Sequence, residues 1–508
     1  MEARARIPVG PPVHNPLPSY WHNPKSPLSA VIEPETSNPT KPYDYAIIGS
    51  GISGAMIAYN LLNTQPGARI VMLEAREICG GATGRNGGHT KAASYRTYLQ
   101  HKEELGEEEA LKIARLEYAN IVETHRLARE LGIQCENEMC NTVDLIYDQE
   151  TFEKGKAAIE ELRADATDEE KEWGKMAWYR VYEKDDGIKQ KFWCADTNTN
   201  PTVIQEEKLV GAFEYVAGRI HAYRFTTGIL KACVQKGLQL CNNTPVHSIL
   251  PTVSTASPAT SPSPNKPLFD IFTQYATIPT HTIILATNGY TPYLLPSLQS
   301  FIVPLRGQIT AQQPPKTSKH PSVLTHTYSF IYASGYEYMV PRQLPDGAQH
   351  IIIGGGLGRL PQGGAGEFGT VDDSALNKNI SMYLRGTVSG YFGTPSPGES
   401  AAEQPAYETI AEWTGIMGAT ADGRPFVGEV PGRKGVWVSV GFNGHGMVLC
   451  LKAAEALVEM MTGKSERERW FPESFLIGPE RLEKCEFHGR TDMQVQETGE
   501  GLVGGAEK

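Results

Sequence analysis

The period of the hydrophobic pattern changes twice between residues 43 and 73. Residues 43–48 (YDYAII) form a short apolar, β-branched run that stops at a glycine cluster, 52–62 repeats its apolar residues at helical spacing, and 68–73 reads again as a strand. A strand, glycine turn, helix and strand within about thirty residues make a βαβ unit, whose two strands lie parallel in one sheet. Further along, 102–131 is predicted as one long amphipathic helix, acidic early and basic late as the helix dipole prefers, and 151–175 as a second charged helix. Residues 224–237 are predicted as a helix closed by glycine, 238–249 as a strand region, 282–286, 350–353 and 436–440 as buried strands, and 447–461 as a helix apolar all round. The run 331–338 (IYASGYEY) alternates as a strand does, which puts Tyr332, Ser334, Tyr336 and Tyr338 on one face. Two stretches have no period: the arm 1–41, with nine prolines, and the Ser/Pro/Thr-rich 251–267, read as a surface insertion between hairpin strands. The arm has no core of its own and is expected to be extended, docked or mobile.

Composition narrows the class. With 508 residues, 40% of them hydrophobic and 21% charged, the chain is a folded protein of roughly three domain-sized units. The balance of 47 basic against 58 acidic residues gives −11, with no basic excess to neutralise phosphates, so no nucleic-acid partner is expected. No stretch reaches the roughly 18 apolar residues of a membrane span, and the first thirty residues hold no signal-peptide core, so a cytoplasmic protein with no membrane partner is expected. Eight scattered cysteines fit a reducing compartment and show no metal-ligand spacing, so no metal is expected.

The chemistry begins at the first turn. Gly49, Gly51 and Gly54 form G-S-G-I-S-G between strand and helix, where Ile52 and Ser53 open the helix and the backbone can approach a pyrophosphate. Glu74 closes the next strand, 20 residues after Gly54, where a carboxylate accepts hydrogen bonds from a ribose diol; Ala75 and Arg76 follow it. These features alone leave nicotinamide and flavin both open. Residues 80–91 (GGATGRNGGHTK) carry too many glycines for an ordinary helix or strand and suit close passage of the backbone along a ligand.

In these motifs the chain resembles the FAD-dependent oxidoreductases of the D-amino-acid oxidase, glycine oxidase and sarcosine oxidase superfamily. Its A-T-G-R-N-G-G at 82–88 is most similar to the glutamylputrescine-oxidase-like branch. Residues 218–237 with Thr244-Pro245-Val246, ATNGYT at 286–291, VPLRGQIT at 303–310, and DGRP at 422–425 followed by GFNGHGM at 441–447 fit the family in order. The resemblance implies an α/β protein: a Rossmann-like FAD-binding domain with an interleaved α+β substrate domain built on a mixed or antiparallel sheet. It implies an FAD domain from 42–92, 210–295 and 412–465, a substrate domain from 93–209 and 296–411, the N-terminal arm at 1–41 and a C-terminal extension at 466–508. Beside Gly49, Gly51, Ile52, Ser53, Gly54, Glu74, Ala75 and Arg76, the implied FAD contacts are Gly81, Ala82, Thr83, Arg85, Asn86, Gly87, Gly88 and His89 on the loop. Val246 near the adenine, Ala286, Thr287, Asn288 and Gly289 on the returning strand, and Gly415, Gly444, His445, Gly446 and Met447 near the ring complete the set. Physically, backbone N–H groups near Gly446 and Met447, at a helix N-terminus, favour the negative charge of a reduced flavin.

The chemistry implied is oxidation of a CH–NH bond: hydride leaves the carbon beside a neutral amine for the flavin, the imine hydrolyses, and dioxygen reoxidises the cofactor to give hydrogen peroxide. The partners are then a small amine or amino acid and dioxygen. The alternatives are a dehydrogenase that uses a non-oxygen acceptor and a non-catalytic flavin-binding protein. Candidate catalytic residues are Arg85, His89, His445 and Tyr338. Arg85 suits either a substrate carboxylate or support of the flavin. Relatives that attach FAD through a histidine place it nearer Arg85, so His89 is expected to hydrogen-bond within the loop. No cysteine stands just upstream of 415–422, and noncovalent FAD is expected. His445 is a flavin or oxygen contact, or a structural group. Val448 stands where sarcosine oxidases carry a carboxylate-binding lysine. Arg306, Tyr332, Tyr336, Tyr338 and Arg342 are expected along the substrate domain, the tyrosines either caging an amine or packing the sheet.

Overall fold

The apolar runs on either side of the first glycine turn are hydrogen-bonded neighbours in a computed structural model, which describes residues 1–29, 41–184, 186–252, 268–315, 324–393, 407–464 and 466–487. Strand Tyr43–Ile48 lies between Ile70–Leu73 and Thr277–Leu285, parallel to both; Gln239–Cys241 extends the sheet beyond the first and Val436–Val440 beyond the second. Phe426–Glu429 closes that edge antiparallel. Strands buried on both faces read as unbroken apolar runs, and Ile70–Leu73 is buried at every position. Helices Ile52–Thr64, Ala222–Gln235 and Gly446–Met461 cover one face through Ala55, Ile57, Leu61, Phe225, Ile229, Leu451 and Leu457. On the other face Val71, Leu73, Ile283, Leu285, Val438 and Val440 pack with Leu295, Ile302 and Phe426. This is the expected Rossmann-like arrangement. The hairpin Val246–Pro251 and Phe269–Thr273 hangs from Thr277–Leu285; most of the Ser/Pro/Thr-rich stretch between its strands lies outside the described residues.

The second sheet is mixed. Glu408–Thr420, Ile302–Gln313, Gln349–Gly354, Gly335–Gln343 and Thr327–Tyr332 run antiparallel in that order, then Thr327–Tyr332 pairs parallel with Glu138–Ile146. Gly211–Arg219 follows antiparallel, flanked by Tyr179–Glu183 and by the two residues His89–Thr90. Gly211–Arg219 and Glu408–Thr420 thus join this sheet although most of their length falls in segments expected in the FAD-binding unit, because register and pairing are tertiary choices that hydrophobicity does not encode.

Two expected elements are divided. The long helix over 102–131 is two helices, Tyr95–Leu105 and Glu107–Glu130, separated at Gly106, whose φ of +89° and extended ψ suit glycine alone. The strand expected over 331–338 is a hairpin: Thr327–Tyr332 turns back at 333–334 into Gly335–Gln343, with Tyr332 opposite Gly335 and Ser329 opposite Tyr338. The turn puts Tyr332 on Glu337, whose carboxylate accepts from its phenol at 2.8 Å, while Tyr336 and Tyr338 project on the other side of the strand.

The arm is docked. Trp21 is 4% exposed and meets the His221 ring edge-on, and Arg4 donates to the carbonyls of Phe368 and Gly366. The C-terminal extension is docked as far as residue 487, through Phe471, Phe475 and the pairing of Arg481 with Asp422. A buried ion triad joins distant segments. The fully buried Asp373 carboxylate takes Arg76 at 2.9 and 3.0 Å and stands 3.6 Å from Arg85. Removing one member of such a group leaves uncompensated buried charge, so Asp373→Asn is expected to lower stability by about 3–5 kcal/mol, read from urea unfolding.

Candidate cofactor and substrate cleft

Strand order reverses at Tyr43–Ile48, and a crevice opens beyond the carboxyl ends of the strands there, as α/β topology dictates. Gly49 has φ of +105°, and a β-carbon on it would stand 2.6 Å from the Ala286 carbonyl oxygen; one on Gly54 would stand 2.0 Å from that of Gly49. Both glycines let strand, helix and returning strand approach closely. The Ile52 N–H donates to Thr83 Oγ1 at 3.0 Å, which ties the glycine-rich loop to the helix N-terminus. Glu74 is held at the rim: its carboxylate accepts from the Ser50 N–H at 3.0 Å, the Ser50 hydroxyl at 2.7 Å and the Arg76 N–H at 3.1 Å.

From this cradle a cleft of about 330 Å³ runs on between the sheets. Most of the expected contacts line it: Gly49, Gly51, Ile52, Ser53, Glu74, Ala75 and Arg76; Gly81, Ala82, Thr83, Arg85, Asn86, Gly87 and His89; Val246, Ala286, Thr287 and Asn288; Gly415, Gly444, His445, Gly446 and Met447. Three do not. Gly54, Gly88 and Gly289 face protein, where a β-carbon would stand 2.0, 2.2 and 2.4 Å from the carbonyl oxygens of Gly49, Ile220 and Met417; they are glycine for packing rather than for ligand contact.

Arg85 commits its guanidinium to protein partners. It is 3% exposed, and its nitrogens donate to the carbonyls of Gly80 at 2.9 Å, Thr414 at 2.9 Å and Leu17 at 2.8 Å, with Asp373 behind. The guanidinium therefore fixes the loop from the rear. Asn86 staples the same loop, accepting from the Gly88 N–H at 2.7 Å and donating to the Thr83 carbonyl at 3.0 Å. His89 meets Thr327 Oγ1 at 2.7 Å, and burial, reinforced by Lys91, holds its pKa well below the usual range, so the ring is neutral.

The far wall comes from the last strand and helix. Asn288 Oδ1 accepts from the N–H groups of Gly441 at 2.9 Å and Phe442 at 3.2 Å, which fixes the turn carrying Gly444 and His445. Helix Gly446–Met461 thus opens on the cleft, as does Ile52–Thr64, and both positive helix ends face any anionic group held there. The cleft suits FAD on a further ground: the buried phenol oxygen of Tyr290, which lines it, has no hydrogen-bond partner among the described residues, and a nucleotide oxygen would supply one.

Where the cleft meets the second sheet, residues that the sequence did not single out, Arg96, Asp144 and Ser329, stand with Lys91, Tyr336 and Tyr338. The Lys91 amine pairs with the Asp144 carboxylate and donates to Ser329 Oγ at 2.6 Å; Tyr95 and Tyr215 also donate to Asp144, both at 2.8 Å. Arg96 lies 4.1 Å over the Tyr336 ring. Tyr338 packs on Gly87, where a β-carbon would come within 2.4 Å of its ring. Lys91, Arg96, Tyr336 and Tyr338 all line the cleft, whereas Arg306, Tyr332 and Arg342 do not. Arg306 is spent on Glu367 and the Asp372 carbonyl, Tyr332 on Glu337, and Arg342 on Glu136 and Tyr20.

Comparison with known proteins gives three findings. The family model described as FAD dependent oxidoreductase matches residues 44–460. The chain is 22% identical over 438 residues to the probable oxidoreductase OrdL of Haemophilus influenzae, covering 84% of each chain. Among solved structures, the fold is similar to glycine oxidase from Geobacillus kaustophilus, with TM-score 0.62 and 18% identity over 87% of this chain and 99% of that one. It is similar to the same degree to L-proline dehydrogenase from P. horikoshii, with TM-score 0.62 and 18% identity over 88% and 99%.

Burial sets the acid stability. Among the described residues, His22, His101 and His125 are pushed down to about 4, chiefly by desolvation, His221 to about 2, and His89 and His350 are also lowered. A histidine whose pKa is depressed in the fold favours the native state above its unfolded value, and this contribution is lost as pH falls through the folded value. Glu117 and Glu337, raised to about 7 by desolvation, act in the opposite sense between about 4.5 and 7, but they are outnumbered. The urea midpoint is therefore expected to fall as pH drops from about 6.5 toward 4, and a flat profile would contradict it.

Proposed function

Because the chain belongs to the FAD dependent oxidoreductase family and is an oxidoreductase that uses FAD, we propose that it oxidises the CH–NH bond of a small amine or amino acid. The observation that carries this reading is the continuity of one cleft, from the glycine cradle at Gly49 to a chamber walled by Lys91, Arg96, Tyr336 and Tyr338. The likeness to glycine oxidase and L-proline dehydrogenase supports it. The finer reading, membership of the glutamylputrescine-oxidase-like branch, rests on the motif at 82–88.

FAD, when bound, supplies the hydride acceptor and passes the electrons to dioxygen, giving hydrogen peroxide. The chain's own residues orient the substrate and keep it dry. Arg96 places a cationic group on the substrate side, which favours a carboxylate-bearing substrate and so an amino acid over a simple amine, whereas Lys91 is paired with Asp144 and adds no net charge. The same cation disfavours a protonated amine beside it, and only the neutral amine can release hydride. Tyr336 and Tyr338 present ring faces that exclude water. Val448, in the cleft wall where sarcosine oxidases carry a carboxylate-binding lysine, leaves carboxylate binding to Arg96. His445, directly before the helix, contacts the cofactor, and Arg85 holds the loop in place.

FAD is held noncovalently in this reading. His89 is engaged with Thr327, and Cys450, a cysteine in the cleft wall, keeps its proton because burial raises its pKa. The FAD-binding domain is drawn from 42–92, 210–295 and 412–465 and the substrate domain from 93–209 and 296–411, with Gly211–Arg219 and Glu408–Thr420 crossing into the second sheet. We also propose a cytoplasmic location, in keeping with eight free cysteines. No helix among the described residues is long and apolar enough to cross a membrane.

The test is anaerobic bleaching of the bound flavin by glycine, N-methyl amino acids, primary amines and polyamines, followed by admission of air. Carboxylate-bearing substrates are expected to bleach it, and air to restore the colour with release of peroxide. Arg96→Leu is expected to raise KM for the best of them roughly 10- to 100-fold with a smaller change in kcat. Bleaching by a carboxylate-free amine with the same KM in both proteins would remove the assignment to amino acids, and colour restored only by an added dye would identify a dehydrogenase.

A further inference from the structure

The matched family span begins at residue 44, yet the chain before it takes part in the cleft. Pro11 and Pro12 are in the cleft wall. They are held on both sides. Before them, the Val9 N–H donates to Gln299 Oε1 at 3.3 Å, Gln299 Nε2 donates to the carbonyls of Ala5 and Ile7 at 2.7 and 2.9 Å, and Arg4 grips Phe368 and Gly366. After them, Arg76 donates to the Val13 carbonyl at 3.3 Å, and Leu17 both donates its N–H to the Asp373 carbonyl at 2.9 Å and accepts from Arg85 at 2.8 Å. Ser19 then donates to the carbonyl of Gly84 at 2.7 Å.

These anchors fix where the two prolines stand. Arg76 follows Glu74, the carboxylate placed for the ribose, and Val13 is bound to Arg76, so 11–12 lie at the nucleotide end of the cleft and not at the substrate chamber. Tyr290, whose buried phenol oxygen lacks a partner among the described residues, lines the same cleft; burial raises its pKa, and the charges of Arg76, Asp373, Arg85 and Glu74 act on it. Among its described residues the arm forms one turn of helix and two short 3-10 turns, and proline pre-sets its backbone, so little conformational freedom is lost on docking.

We propose that residues 9–17 are part of the cofactor site: a strap over the adenosine end of FAD, anchored through Arg76 and Arg85, that must lift before the cofactor leaves. The inference rests on FAD occupying this cleft. It assigns to the arm a role in retention of the cofactor and none in the chemical step. The two arginines behind the loop then serve twice, fixing the loop that passes the flavin and the strap that covers the nucleotide.

The experiment uses the holoenzyme. Release of FAD after dilution is followed by the rise in flavin fluorescence, for the wild type, for the double variant Pro11→Gly/Pro12→Gly, and for a deletion of residues 2–12 that keeps Leu17, Ser19 and Trp21. ADP, which carries adenosine and pyrophosphate without the ring system, is titrated into each apoprotein. The double variant is expected to release FAD at least roughly fivefold faster and to bind ADP correspondingly more weakly, with the deletion faster still. Release within about twofold of the wild type in the double variant overturns the proposal, whatever the deletion does, and also decides the matter where the deletion fails to fold. Wild-type protein that takes up no FAD would instead bring down the cofactor assignment, and the strap with it.

Discussion

Two guanidinium groups buried behind the cleft need a counter-charge, and Asp373 is the carboxylate beside both of them. Unpaired charge in such a place costs far more than the pair returns, so the triad matters less as a source of stability than as a constraint on geometry. It brings together Arg76 at the end of the second strand, Arg85 within the glycine-rich loop, the arm at Leu17, and the segment before helix Lys378–Phe392. The loop at 80–89 is half glycine and holds its shape through a few polar side chains rather than through apolar packing. Its conformation is imposed from behind, by Arg85 reaching Gly80 and Thr414 and by the Trp413 indole donating to the Arg85 carbonyl at 2.8 Å.

The rest of the site follows from where that loop is held. A glycine backbone pinned at its back can present its front to a planar ligand, and Thr83 ties its other end to the N-terminus of Ile52–Thr64. The opposite wall is fixed with the same economy. Asn288 closes the turn at 441–442, and the buried Asn120 on Glu107–Glu130 donates to the Met447 carbonyl at 3.1 Å and accepts from the Lys452 N–H at 3.1 Å. Two amide side chains and a triad of charges thus position a cleft whose floor belongs to one sheet and whose far end belongs to the other.

Much of this was legible along the chain, and the legible part is local. The glycines at 49, 51 and 54, the acid at 74 and the small-residue loop are consecutive or nearly so, and their spacing reflects steric demands that any close backbone approach to a ligand makes. The helix at 446–461 and the buried parallel strands were visible for the same reason. What was not visible were events that hinge on one residue or on pairing: Gly106 dividing a helix whose apolar period runs straight through it, and a hairpin at 333–334 hidden inside an alternation that a two-residue turn does not interrupt.

The sequence by itself determined the nucleotide cradle, because it depends on short-range spacing and on where a side chain is forbidden, while the fold class and the flavin were implied by the resemblance of its ordered motifs to a family. Only the tertiary structure decided which charges line the cleft. Arg85, Arg306, Arg342 and Lys91 are drawn to carbonyls and carboxylates contributed by distant segments, and of these Lys91, with Arg96, stands where the cleft meets the second sheet. A cation goes to whichever partner folding brings nearest in a dry interior, and that partner is set by the packing of two sheets and a proline-rich arm, not by its neighbours in the chain.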